Sequence, residues 1–151
     1  MSEATDALDR DVRLCVYRRF VQQGQPPTHE HVADELGVGA AEAQGSFRRL
    51  QAAHVLVLHP GTLDVWMANP LSAVPTDFRV ETPSGGYFGN CVWDAFGVVA
   101  MLGAEGTIST HCPCCSEPME LWVVDGELRP VDGVAHFAVP ARRWWDDIGF
   151  T

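Results

Sequence analysis

Cys91-Val92-Trp93-Asp94-Ala95-Phe96-Gly97-Val98-Val99-Ala100-Met101-Leu102 contains a single charged side chain, Asp94. Its length, its apolar content and its lack of proline predict a helix that is apolar nearly all round and therefore buried. A carboxylate in that setting is costly unless paired, so Asp94 is expected to keep its proton. Cys91 opens the run, where the free N–H groups of a helix start favour a thiolate. Residues three apart share a helical face, so the spacing sets a soft nucleophile beside a proton donor. The plainer alternative makes Cys91 a small core residue and Asp94 an N-terminal helix anion.

Downstream, Thr107 to His111 and Met119 to Val124 read as strands, and Asp125-Gly126 is a hairpin turn that folds Glu127 to Val131 back. Ala135 to Val139 reads as one further strand and Ala141 to Ile148 as the start of a helix. Upstream, Phe78 to Glu81 is a strand and Pro83-Ser84-Gly85-Gly86 a loop. Nearer the N-terminus, Leu8, Val12, Val16 and Phe20 recur at spacing four, a helical stripe that Gly24-Gln25-Pro26-Pro27 ends. Thr28 can cap a second helix with Val32, Ala33 and Leu36 inward, and after the turn Gly37 to Gly39 a third helix carries Ala43, Phe47 and Leu50. Val55 to Leu58 and Leu63 to Met67 then form strands around His59-Pro60-Gly61-Thr62. Three helices followed by a hairpin is a winged helix-turn-helix pattern. The expected fold is α+β: a winged helix-turn-helix part over 1–69, a linker over 70–76, and a small sheet-and-helix domain over 77–151.

The 151-residue chain is 46% hydrophobic and 20% charged, which is globular rather than disordered composition. Net charge is −10 and every basic residue is Arg. Six Arg stand against nine acidic residues up to Pro70, and four against eleven beyond it. Such a surface repels phosphate backbones, so nucleic acid is disfavoured as a partner. Met1 to Asp11 is polar and unlike a signal peptide, and no apolar run approaches the roughly 20 residues that span a bilayer. No membrane association and a cytoplasmic location are expected, with the cysteines reduced.

A second cluster is His111-Cys112-Pro113-Cys114-Cys115. Cys112 and Cys115 have the Cys-x-x-Cys spacing that holds zinc or copper. A second half-site is not visible in sequence, so Cys91, His136 or another subunit would have to complete a tetrahedral shell. A structural zinc ion, a soft-metal relay between adjacent thiols, and a plain strand-end turn all stay open. His29 and His31 are expected at the surface. Trp66, Trp93, Trp122, Trp144 and Trp145 are expected in core or interface. Arg48 and Arg49 on the third helix are the only candidates there for DNA phosphates.

The run Tyr87-Phe88-Gly89-Asn90-Cys91-Val92-Trp93-Asp94-Ala95-Phe96, followed by Thr107 to Cys112 and Glu120 to Val123, resembles the catalytic domain of organomercurial (alkylmercury) lyases. That family has Cys-x-x-Asp at a helix start after an aromatic-rich approach, and a winged-helix-like N-terminal domain. The resemblance implies Cys91 and Asp94 as catalytic residues, with Cys91 binding mercury as thiolate and Asp94 handling the proton. It implies no required cofactor, mercury being substrate and product. It also implies a second catalytic cysteine after the segment matching Arg142 to Thr151, and no cysteine follows Cys115 here. Either the sequence stops short of that residue or the family mechanism is not intact.

Three functions follow as expectations. The first is an organomercurial lyase-like enzyme acting on a small organometallic ligand. The second is a soft-metal binding or sensing protein that holds its ion with Cys91, Cys112, Cys114 and Cys115 and reads DNA through the winged helix. The third is a degenerate family member with another substrate. A homodimer is left open. Inorganic mercury is expected on Cys91 plus at least one of the three clustered cysteines.

Overall fold

The computed structural model describes residues 3–149. Helix α1 (Glu3–Gln23) buries Val12, Cys15, Val16 and Phe20 along one stripe, with Leu8 packed at its edge. Helix α2 (His29–Leu36) starts where the Thr28 hydroxyl accepts the His31 N–H, and ends at Gly37 in the left-handed region. Helix α3 (Ala40–Ala52) buries Ala43, Phe47 and Leu50. Polar clamps fix the three. The Asp9 carboxylate accepts from Arg49 Nε at 2.8 Å, Arg49 Nη2 at 2.6 Å and Ser46 Oγ at 2.6 Å, locking α1 to α3. Arg18 and Arg19 both pair with Glu35, locking α1 to α2. His29 is not a free surface residue. Its Nε2 lies 2.9 Å from Gln44 Nε2 and its ring meets Phe47 edge-on, because α2 and α3 close over it.

The strands are β1 (Val57–Leu58), β2 (Val65–Ala68), β3 (Leu71–Ser72), β4 (Phe78–Thr82), β5 (Gly85–Gly89), β6 (Gly106–His111), β7 (Pro118–Val124) and β8 (Glu127–Leu128). They form one antiparallel sheet in the order β1-β2-β3-β5-β4-β6-β7-β8. The stretch 70–76, expected as a linker, therefore contains a strand: β3 pairs with β2 on one side and β5 on the other. One core cluster runs through everything, from Val16, Phe20 and Phe47 to Val80, Val98 and Ile108. Two hydroxyls reinforce it: Tyr17 donates to the Asn69 carbonyl at 2.8 Å and Tyr87 to the Val21 carbonyl at 2.8 Å.

Sequence and structure part in several places. Gly85-Gly86, read as loop, begins β5, which the sequence reading missed. Ala135 to Val139 forms no strand; it is irregular and mostly exposed. Ala141–Asp146 is a 3₁₀ helix rather than the first turns of an α-helix, and β8 stops at Leu128. The Asp125-Gly126 turn forms as expected, with φ of 55° and 77°. Trp93, Trp122 and Trp145 are exposed at 64%, 51% and 38%, so three of the five tryptophans lie outside the core. Among the described residues no helix is long and apolar enough to cross a membrane.

Helix α4 (Val92–Met101) lies on the sheet against β3, β4, β5 and β6. It buries Ala95, Val98 and Val99 but leaves Trp93 and Met101 in solvent, so it is not buried all round. One face meets the sheet, and the C-terminal segment lies near the helix start, where Trp144 and Trp145 wall a cavity with Trp93 and Asp94.

Candidate active site

Strand β5 delivers the chain to α4 through Gly89, and only glycine fits there. A Cβ at Gly89 would stand 2.5 Å from the Ala95 nitrogen and 2.8 Å from its Cα. That close approach sets Asn90 and Cys91 at the strand-to-helix corner, with Cys91 as the N-cap of α4 in extended conformation.

Cys91 and Asp94, three residues apart, both wall a cavity of about 140 Å³, with Asn69, Asn90, Trp93, Trp144 and Trp145 around them. Cys91 and Asn90 also wall an adjoining cavity of about 390 Å³, whose lining is largely apolar and aromatic, including Trp66, Val74, Phe78 and Phe137. The roof over both comes from the C-terminal segment. It is tied down by Trp145 stacked on His54 at 4.0 Å, and by Gly149 against the Trp66 ring.

Burial pushes the Asp94 carboxyl above its ordinary value; the hydrogen bond from Asn90 opposes this but does not win. Asn90 Nδ2 donates to Asp94 Oδ2 at 3.0 Å and to Asn69 Oδ1 at 3.3 Å. Asn90 Oδ1 is buried with no partner. The sequence reading did not single out Asn90; only its place before Cys91 pointed to it. Burial also pushes the Cys91 thiol up. The N–H groups of Asp94 and Trp93 pull it down, but neither makes a formed cap on the sulfur. Desolvation thus outweighs the helix start on which the expected thiolate rested, and the net push on the Cys91 thiol is upward.

The other candidate ligands lie elsewhere. Cys112, Cys114 and Cys115 occupy the β6–β7 turn, where Cys112 is half-exposed and the other two exposed. None of the three is among the residues that wall the two cavities at Cys91. The N–H groups of Cys115 and Cys114 and the Cys115 thiol hold the Cys112 thiol below its ordinary value. Among the described residues no group of three or more His, Cys, Asp or Glu side chains is placed to hold a metal ion. A shell for the candidate structural zinc is therefore not shown there.

A family model described as alkylmercury lyase matches residues 71–151, from β3 through the Cys91 corner to the end of the sequence. The chain belongs to the alkylmercury lyase family. Among solved structures, this lyase-family chain is similar to one described as the mercury-bound form of MerB2, with a TM-score of 0.63 at 20% identity. The match covers 82% of this chain and 58% of that one, so the present sequence spans somewhat over half of its relative's length. At that identity the likeness establishes the α+β fold alone. No curated protein matches the sequence.

Proposed function

We propose that the chain is an organomercurial lyase-like protein that cleaves a carbon–mercury bond at Cys91 and Asp94. The observation that carries this is one cavity walled by a thiol and by a carboxyl that burial biases toward its protonated form. The family match supports it independently. The sulfur of Cys91 bonds to the mercury of R–Hg–X and releases its proton. Asp94, protonated, gives its proton to carbon as the Hg–C electron pair becomes the new C–H bond. Cys91's proton restores Asp94. The net change is R–Hg–X plus thiol giving R–H plus sulfur-bound mercury, with no oxidant or cofactor. Mercury is substrate and then product, and sulfur suits so soft a metal. The aromatic lining suits an alkyl or aryl group on it.

The division proposed from sequence is kept in function. The part over 1–69 is winged-helix-like and serves as scaffold, and 77–151 carries the chemistry. A DNA-reading sensor is the weaker alternative: Arg49, one of two Arg on α3, is tied to Asp9. Random duplex at low salt should show no submicromolar binding in an anisotropy titration. The main test is release of benzene from phenylmercury by the purified protein in excess thiol. Wild type should release it and Cys91→Ser should not; equal release by both would sink the proposal.

A further inference from the structure

The β6–β7 turn holds three thiols that the proposed reaction does not use. Two backbone hydrogen bonds shape it: Cys112 N–H to the Glu117 carbonyl at 2.9 Å, and Ser116 N–H to the Cys112 carbonyl at 2.8 Å. Within it Cys112 and Cys115 stand three residues apart, at the two ends of the turn that these bonds close. Cys115 Sγ also lies 3.6 Å from Glu117 Oε2. Cys112 and Cys115 thus hold the ends of one turn that is open to solvent, with Cys114 between them. The sheet register puts the turn on the edge that also carries Cys91. Gly89 pairs with Phe78 and Arg79 with Ser109, so the end of β5 and the end of β6 lie level across β4. Two strand spacings, about 10 Å, separate them.

We propose that Cys112 and Cys115 form a second, surface site for a soft metal ion that two thiolates in line can satisfy, such as mercuric ion. Zinc needs a fuller shell. The Cys-x-x-Cys pair offers two sulfurs, and mercuric ion takes two. Binding of mercuric chloride forms two S–Hg bonds and releases two protons and two chlorides. The assignment is independent of the reading of Cys91, since the two sites share no side chain.

The experiment uses the full reduced chain carrying Cys91→Ser, which removes the proposed catalytic thiol. It is titrated with mercuric chloride against a competing small thiol, while free thiols are counted with a chromogenic disulfide. One ion should bind with loss of two countable thiols. Adding Cys112→Ser or Cys115→Ser should weaken binding about 100-fold or more, as expected when a chelate becomes a single contact. Adding Cys114→Ser should leave affinity unchanged. Undiminished binding without Cys112 and Cys115, or an equal loss with Cys114→Ser, overturns the assignment. Benzene release by Cys112→Ser, which keeps Cys91, reports on the lyase reading separately.

Discussion

Asp94→Asn separates the chemistry of the site from its stability, and the two should move in opposite directions. The substitution keeps volume and leaves an amide oxygen to accept from Asn90, but removes the proton donor. The linings of the two cavities offer no other carboxyl among the described residues; His136, in the larger one, is the only other titratable group besides Cys91. Loss of a positioned general acid costs about 10²- to 10⁴-fold, roughly 3–5 kcal/mol of barrier. With no replacement acid at hand, the upper half of that range is expected. Stability should respond the other way. Asp94's folded pKa is raised, so the fold favours the protonated carboxyl. That advantage is present below the unfolded value of 3.8 and lost as pH rises through the folded value. Above 3.8 the unfolded chain ionises Asp94 while the fold resists it, a cost to folding at pH 7 that Asn does not carry. The assays are phenylmercury cleavage in excess thiol and thermal melting at pH 7 and pH 3. Activity should collapse while mercury still titrates Cys91, and the melting point at pH 7 should hold or rise, with the difference shrinking at pH 3. Activity within tenfold of wild type, or a variant less stable at pH 7, would refute the reasoning.

Three further outcomes are expected. Without added thiol, cleavage should stop after one equivalent, because no second cysteine walls the Cys91 cavity among the described residues; single-turnover product counting with and without a small thiol reads this. Asp9→Ala should cost about 1.5–3 kcal/mol in urea unfolding at pH 7, since it strands Arg49 and Ser46 at a mostly buried contact. Because Arg49 holds the Asp9 pKa down, that contribution is present above 3.8 and is lost as pH falls through the lower folded value. Gly89→Ala should cost about 2 kcal/mol or more by forcing a methyl into the α4 backbone, seen as a lower denaturant midpoint.

The helical stripes were legible because their periodicity is set by burial on one side, as at Val12, Val16 and Phe20. The Asp125-Gly126 hairpin was legible because few residues take that turn. Strand β5 was not, since glycines carry no strand signal and its Gly85-Gly86 start reads as turn chemistry. The resemblance to alkylmercury lyases rested on the residues around Cys91, and the family match includes them. Spacing set Cys91 near Asp94, and both line one cavity, although Cys91 stands as the extended N-cap of α4 and not on its helical face. Spacing could not tell that burial would beat the helix start at Cys91, nor that the β6–β7 turn would carry its cysteines away from that cavity. Both depend on what packs around a residue. The C-terminal roof was illegible for the same reason: Trp144 and Trp145 cover the site from a short 3₁₀ helix, whose place over the cavity depends on what packs beneath it.

The core shared by helices and sheet has a consequence for how the protein opens. Phe20 and Phe47 belong to the same buried cluster as Val98 and Ile108, and β3 carries the ladder between the two parts. Amide protons in α1 and in β4 should then exchange through one common opening rather than two, whatever the chain's modular ancestry. The corner that holds Cys91 sits inside that cooperative unit, while the C-terminal roof above it meets the helical part through Trp145 stacked on His54. For the lyase proposed above, a local opening of that roof would admit substrate and leave Cys91 and Asp94 in place beneath it.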